Sequence, residues 1–336
     1  MCKTLAFSKE VTAGEEQRLN YKTTARNILV IILLSAVSYF FYYEAQNNWV
    51  PIRSYHLTLN IKFITLSFAA ISLTYLINVF CWFISLNSIS GARITFPNSI
   101  AMYHTSNLTK YIPGKVWSLA LQIYWLEKSG FPKSLILYVN IITLYISLAV
   151  SMVLGLSYLI IAPGTKFINF AMPLLFLLIA IEILLIGYCS HIVKMLLSIL
   201  NKIFKCDIKY FKTPVKLLLW LHLMYIIAAF SYGFSAYLLC FGIGFQVPVE
   251  QMLTVMSSVI ISEVAGIISV IAPAGLGVRE GVMYLQLKGL SATALPFILP
   301  FSARLLSMFA DIFFGAIGFV LLKRKYHISD KCDVSA

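Results

Sequence analysis

The most informative parts of the sequence are two short stretches, YIPGKVW at residues 111–117 and IAPAGLGVRE at residues 271–280. In each, an apolar segment breaks at a proline and glycine turn and continues for about four turns of predicted helix. Each continuation stops at a glycine, Gly130 or Gly289, and a long apolar run follows. Helices that are interrupted at corresponding places in two halves of a membrane protein are typical of transporter binding sites. The pattern therefore predicts a protein that moves a substrate across a membrane.

The composition places the chain in a membrane. Hydrophobic residues make up 60% of the chain and charged residues only 12%, about half the charged fraction of soluble domains. Several apolar runs are long enough to cross about 30 Å of hydrocarbon. We therefore predict an all-α integral membrane protein with about six transmembrane helices and two re-entrant helical hairpins arranged as an inverted repeat.

The predicted layout has four parts in chain order. Residues 1–26 form a cytoplasmic arm, and residues 323–336 form a cytoplasmic tail. The first membrane repeat, residues 27–162, has spans at 27–44, 62–86 and 134–162 and a hairpin at 97–130. The second repeat, residues 163–322, has spans at 168–191, 214–241 and 294–322, a cytoplasmic amphipathic segment at 191–213 and a hairpin at 250–290. An odd number of spans reverses the second repeat, so the two hairpins would enter from opposite faces and meet near the midplane.

The distribution of positive charge supports one orientation of this layout. The formal net charge is +13, from 26 Lys and Arg against 13 Asp and Glu. The arm, the region 87–133, the loop 191–216 and the tail hold five, five, six and four of these cations, together 20 of the 26. Lysine and arginine accumulate in cytoplasmic loops of membrane proteins. The sequence thus predicts a multi-pass protein of the cell (inner, cytoplasmic) membrane with both termini in the cytoplasm, and it gives no indication of nucleic-acid binding.

The 191–213 segment combines a polar and an apolar face. Its lysines are Lys194, Lys202, Lys205, Lys209 and Lys212, and its apolar residues include Ile192, Leu196, Leu200, Ile203 and Phe204. This pattern predicts an interfacial helix that lies on anionic cytoplasmic lipid. A specific site for anionic lipid or for regulation is the alternative.

Motifs of enzyme or metal chemistry are not found in the sequence. The six cysteines are scattered without a C-x-x-C pair, and neither H-E-x-x-H nor G-x-S-x-G occurs. We therefore expect no catalytic residues, no metal and no cofactor. The alternatives to a transporter are an integral-membrane enzyme and a non-transporting partner in lipid-linked glycan assembly.

Charged residues within membrane segments are costly and mark candidate sites. In the second hairpin, Gly275 and Gly277 allow the backbone to approach a ligand closely, and Arg279 lies at the start of the returning half-helix. A guanidinium group beside a helix N-terminus favours a phosphate. The structural alternative is that Arg279 pairs with Glu280 or Glu263 and seals the hairpin.

Further candidates lie elsewhere in the two halves. Arg304 and Asp311 are seven residues apart on one face of the last span. The two alternatives are that they form an ion pair with each other or that Arg304 binds a phosphate. Lys115 in the first hairpin contacts the same headgroup or extends to the interface. The predicted substrate-binding residues are Arg279, Arg304, Glu280, Gly275, Gly277, Lys115, Pro113 and Gly114. The proton-coupling candidates are Glu263, Glu182 and Asp311. For Glu182 the alternative is a hydrogen-bonded packing residue that stays protonated, and His222 is interpreted as an interior histidine.

At residues 273–280, PAGLGVRE, the sequence resembles the flippase-like membrane domain of lysylphosphatidylglycerol synthases. Members carry a Pro-x-Gly-Gly-x-Gly-x-Arg-Glu-like motif, from which this chain departs at Ala274. They also carry a Tyr-x-Pro-Gly-Lys-like motif, matched here at residues 111–115, and an arginine in the last long span, matched by Arg304. The resemblance covers nearly the whole chain.

The resemblance implies flippase-like or scramblase-like movement of a membrane lipid, or of a polyprenyl-phosphate-linked saccharide, between leaflets. Glycan-assembly proteins are the partners that it suggests. No aminoacyl-transfer domain follows in this sequence, so we do not expect the synthase activity of the fused family members.

Overall fold

The regular elements of the protein are all helical in the residues that its structure, a computed structural model, describes. These are residues 39, 42–43, 46, 53, 55, 58–90, 93–111, 117–161, 171–204, 208–269, 275–290 and 294–333. The helices are α1 (Ile61–Ile89), α2 (Phe96–Asn107), α3 (Trp117–Glu127), α4 (Lys133–Ile161), α5 (Ala171–Gly187), α6 (Cys189–Phe204), α7 (Val215–Gly242), α8 (Met252–Ile268), α9 (Val278–Leu287) and α10 (Leu295–Asp333). Short 3-10 turns occupy Leu108–Tyr111 and Val249–Gln251. Most of the predicted span 27–44 lies outside the described residues.

Five of the described helical segments are long and apolar enough to cross a membrane. They are α1, α4, α7, Val249–Ile268 and the Leu295–Lys323 part of α10, and a sixth results if α5 and α6 count as one bent span. A helix of about 20 residues covers the hydrocarbon thickness. The predicted class, an all-α protein with several membrane-spanning helices, is confirmed.

The two interrupted regions have the predicted limits but shorter return helices. The first region consists of α2, the Leu108–Tyr111 turn and α3, and the second consists of α8 and α9. The return helices α3 and α9 contain 11 and 10 residues, about three turns each rather than the predicted four. Because Val249–Ile268 is also long enough to cross the membrane, length alone does not distinguish a span from a hairpin arm. The re-entrant hairpins and the inverted repeat remain predictions.

The amphipathic segment differs from the prediction of one continuous helix. Helix α6 ends at Phe204, so Lys209 and Lys212 belong to the extended segment that follows it. The most buried side chains of α6, Cys189, Val193 and Leu197, pack into a protein core with α4 and α7. The apolar face of α6 therefore contacts the protein at these positions instead of lying wholly in lipid, while Lys194 and Lys202 are exposed.

Helices α1 and α7 form the central antiparallel pair. Ser67 Oγ donates to the Ser235 carbonyl at 2.6 Å, Ser231 Oγ donates to the Ala70 carbonyl at 2.7 Å, and Thr74 Oγ1 donates to a third carbonyl on α7 at 3.1 Å. Small hydroxyl residues let two backbones approach closely within a membrane. This ladder holds the two helices along one side of the cavity described below.

Glycines bring the interrupted regions against the long helices. A Cβ at Gly155 of α4 would lie 2.8 Å from Ile261 on α8. On α10, a Cβ at Gly315 would lie 2.5 Å from Leu108, and one at Gly318 would lie 2.6 Å from Thr105 on α2. Interfaces of this kind require residues without side chains. They place both interrupted regions beside the centre of the bundle.

Candidate functional site

A cavity of about 420 Å³ lies between the long helices and the two interrupted regions. Its lining includes residues 74–78 of α1, 140–151 of α4, 225–232 of α7 and 304–311 of α10. Each of these segments is near the middle of its helix or, for α10, near the middle of the apolar part Leu295–Lys323. Because the middle of a spanning helix lies near the bilayer centre, we infer that the cavity is at midplane depth.

Three basic side chains line the cavity. Lys110 comes from the turn after α2, Arg279 from the first turn of α9 and Arg304 from α10. The carboxylates of Glu263 and Asp311 also line it, and Glu280 lines a small adjoining cavity of about 20 Å³ beside Arg304. Each of the three cations has a carboxylate partner, so the site is formally neutral.

Arg279 is held within the second interrupted region. Its guanidinium donates to Glu263 Oε2, which also accepts a 3.2 Å hydrogen bond from the Tyr232 hydroxyl. The structural alternative of an Arg279–Glu263 pair is therefore the arrangement found. The Arg279 Nε atom is buried and has no hydrogen-bond partner among the described residues.

Two glycines make room for the Arg279 side chain. A Cβ on Gly266 would lie 2.4 Å from Arg279 Cγ, and one on Gly275 would lie 2.9 Å from Arg279 Nε. Gly275 also has a φ angle of +70°, in the left-handed region that favours glycine. In the structure, Gly275 thus makes a close approach to Arg279.

Glu280 combines a helix cap with an ion pair. Gly277 has a φ angle of 80°, precedes α9, and donates its backbone N–H to Glu280 Oε2 at 2.7 Å. The other oxygen, Oε1, lies 3.9 Å from Arg304 Nε, and Glu280 is only 5% exposed. Glu280 therefore joins the start of α9 to the Arg304 charge.

Asp311 is the buried acceptor of the first interrupted region. It accepts from Lys110 Nζ at 2.8 Å, from the Tyr75 hydroxyl at 2.9 Å and from the Tyr111 hydroxyl. Arg304 instead faces the Tyr111 ring, at 6.0 Å from its centroid. Of the two alternatives for Arg304 and Asp311, the ion pair between them is not the arrangement found, because each pairs with a different region.

Sequence reasoning missed four of the residues that shape this site. Lys110, Tyr75 and Tyr232 line the cavity, and Gly266 packs against Arg279. Lys110 directly precedes the motif that begins at Tyr111, which is a signal that could have identified it. The other three are single small or aromatic residues in apolar helices and carry no such signal. The predicted residues Pro113, Gly114 and Lys115 lie outside the described residues.

Glu182 lies outside the residues that line the cavity and faces His222. The distance from its Oε1 to His222 Nε2 is 3.6 Å, while His222 Nδ1 lies 2.7 Å from the Leu218 carbonyl oxygen. Of the three proton-coupling candidates, Glu263 and Asp311 line the cavity and Glu182 does not.

Comparison with known proteins does not assign the chain to a family. The chain matches no protein-family model and no curated protein sequence. Its likeness to the flippase-like domain of lysylphosphatidylglycerol synthases therefore remains a prediction from the motifs.

Proposed function

We propose that this protein is a membrane transporter that moves a lipid or a lipid-linked saccharide with a phosphate-bearing headgroup between the bilayer leaflets. The observation that supports this proposal is the convergence of Lys110, Arg279 and Arg304 on one cavity at the middle of the long helices. A lipid headgroup that crosses the bilayer needs such a polar, charge-matched path because its phosphate is poorly solvated by hydrocarbon. The acyl or prenyl chains stay in the surrounding lipid.

Arg279 and Arg304 are the proposed phosphate ligands. Arginine binds phosphate oxygens through a planar fork of N–H donors, and both arginines line the cavity. The start of α9 adds the favourable end of a helix dipole beside Arg279. An arriving phosphate competes with Glu263 for Arg279, so the carboxylate acts as the counter-ion of the empty site.

The same competition provides a route for proton coupling. A phosphate adds negative charge to a site that is neutral when empty, and a net charge inside the membrane is unfavourable. Proton uptake by Glu263 or Asp311 on binding restores neutrality. Transport that is insensitive to an imposed pH gradient contradicts this coupling, without contradicting transport itself.

The proposal is tested by separating the ion-pair role of Arg279 from its role toward substrate. Arg279→Gln, Glu263→Gln and the double variant are reconstituted in proteoliposomes, and transbilayer movement of a labelled phosphate-bearing lipid is measured. We expect Arg279→Gln to slow transport by roughly 100-fold, the effect of losing a buried charged contact. The double variant removes both charges and regains stability, but transport stays slow because the phosphate ligand is missing.

One outcome contradicts the proposal for Arg279. If the folded double variant transports at the wild-type rate, Arg279 serves only as the partner of Glu263 and the proposal for Arg279 is wrong. The matched control is Arg93→Gln, an exposed arginine before α2 that does not line the cavity and that should leave transport unchanged.

A further inference from the structure

The cavity has a second, uncharged polar wall. Charged side chains reach the cavity from the Leu108–Tyr111 turn, α8, α9 and α10, whereas α1, α3 and α4 contribute amides and hydroxyls. These neutral lining residues include Asn78, Ser118, Gln122, Asn140, Ser147 and Ser151, which we call the neutral wall. The lining is therefore divided by chemistry as well as by the helices that supply it.

The α4 part of the neutral wall is one helical face. Asn140, Ser147 and Ser151 are separated by seven and four residues, which places them on the same side of a helix. Serine in a membrane helix usually bonds to its own backbone, as Ser157 of α4 does to the Val153 carbonyl. Ser147 and Ser151 line the cavity and make no such bond among the described residues, so their hydroxyls keep both donor and acceptor capacity. The Nδ2 of Asn140 donates to the Ile136 carbonyl at 2.9 Å, which leaves its Oδ1 as an acceptor.

Gln122 provides a buried, unsatisfied acceptor at the same wall. Its Nε2 donates to Ser106 Oγ at 3.0 Å, while its Oε1 is buried without a hydrogen-bond partner among the described residues. The residue is 2% exposed. A buried acceptor that lacks a partner is costly unless a ligand or water satisfies it.

The size of the cavity and the character of its wall indicate a headgroup larger than a phosphate. A phosphate group fills only a small part of 420 Å³. An amine bound at the neutral wall would find no carboxylate there, because the lining carboxylates Glu263 and Asp311 come from α8 and α10. Sugar hydroxyls both donate and accept hydrogen bonds, as do the amides and hydroxyls of the neutral wall.

We propose that the neutral wall binds a sugar or other polyol that is attached to the phosphate, so that the cavity recognises a glycosyl-phosphate headgroup. This inference rests on the proposed phosphate site and specifies its substrate class. Arg279 and Arg304 hold the phosphate, while Asn140, Ser147, Ser151 and Gln122 bond to the hydroxyls.

Binding of soluble headgroups tests this inference apart from transport. Thermal-shift and calorimetric titrations of the purified protein compare hexose 1-phosphate, inorganic phosphate, the free hexose and phosphoethanolamine. We expect hexose 1-phosphate to bind about tenfold more tightly than inorganic phosphate, an increment that one or two hydrogen bonds supply. Equal binding of the two, or tighter binding of phosphoethanolamine, overturns the inference.

Substitutions in the neutral wall test whether its residues cause the preference for hexose 1-phosphate over inorganic phosphate. In the Asn140→Leu/Ser147→Ala/Ser151→Ala protein, we expect the tenfold preference to fall below about twofold while affinity for inorganic phosphate is retained. The matched control is Ser157→Ala on the same helix, which should keep the full preference. An equal loss of affinity for both ligands would mean that these residues only support the fold.

Transport assays identify the lipid that carries the headgroup. They also separate failure of the transporter proposal from failure of the sugar-binding inference. Proteoliposomes are offered polyprenyl phosphate, polyprenyl-phosphate hexose, phosphatidic acid and phosphatidylinositol. Faster movement of the sugar-bearing member in either pair supports the inference and identifies the lipid anchor. If hexose 1-phosphate binds with the expected preference but no lipid moves, the transporter proposal fails and the recognition site remains.

Discussion

The two interrupted regions hold their cations in different ways. In the second region, Arg279 pairs with Glu263, which is only 16 residues away and belongs to the same region. In the first, Lys110 pairs with Asp311, which is 201 residues away on α10. The Asp311 side chain is 3% exposed, whereas that of Glu263 is 30% exposed. The second region can therefore form its ion pair by itself, while the first depends on the last long helix.

This difference has consequences for movement. A phosphate that displaces Glu263 from Arg279 breaks an ion pair within the second region and also affects the hydrogen bond that Glu263 accepts from Tyr232 of α7. Displacement of Asp311 from Lys110 and Tyr111 would break the polar contacts between the first region and α10, although the packing at Gly315 and Gly318 would remain. We therefore expect the second region to respond to substrate first, and the following predictions test the asymmetry.

The largest expected effect is the loss of the Asp311 charge. Asp311→Asn weakens the interactions with Lys110, Tyr111 and Tyr75 at a buried position, and we expect a loss of about 3 kcal/mol of unfolding free energy. Glu263→Gln should cost less because Glu263 is more exposed and the surrounding water partly compensates its partner. The measurement is the unfolding midpoint in an SDS titration of protein in mixed micelles. A larger loss in Glu263→Gln would reverse the comparison.

A smaller effect is expected from a methyl group beside Arg279. Gly266→Ala places Cβ 2.4 Å from the Arg279 side chain, so the arginine has to leave its present position beside Glu263. We expect transport to slow by roughly tenfold, equivalent to about 1.4 kcal/mol, with the fold retained. Gly281→Ala in α9 is the control, since its Cβ would meet nothing within 4 Å. Unchanged transport by Gly266→Ala would show that the position of Arg279 is not critical.

The smallest expected effect concerns one donor to Asp311. Tyr75→Phe removes the 2.9 Å hydrogen bond to Asp311, while Lys110 and Tyr111 still satisfy the carboxylate. We expect a loss of about 1 kcal/mol of unfolding free energy, measured by the same SDS titration. A loss as large as that of Asp311→Asn would mean that the hydroxyl, and not the lysine, is the principal partner.

Several features of the fold and the site could be predicted from the sequence because they depend on local pattern. The apolar runs predict α1, α4 and α7 within three residues, whereas α10 continues to Asp333, beyond the predicted limit of 322. The glycine and proline breaks predict the limits of both interrupted regions. The Arg279–Glu263 pair was among the predicted alternatives because both residues belong to one predicted hairpin. Lys194 and Lys202 are exposed as the amphipathic pattern predicts, although α6 ends before the later lysines.

The helical membrane class follows from the sequence alone, because hydrophobic length and backbone hydrogen bonding leave few other ways to cross lipid. The charged residues within apolar segments can also be read directly from the chain. By contrast, the pairing of Lys110 with Asp311 and of Arg304 with Glu280 is visible only in the folded protein. The same is true of the position of Glu182, which lies beside His222 and outside the cavity lining. These partners are brought together by close helix packing at Gly315 and Gly318 and by the α1–α7 ladder, and such contacts between distant segments leave no periodic signal in the chain.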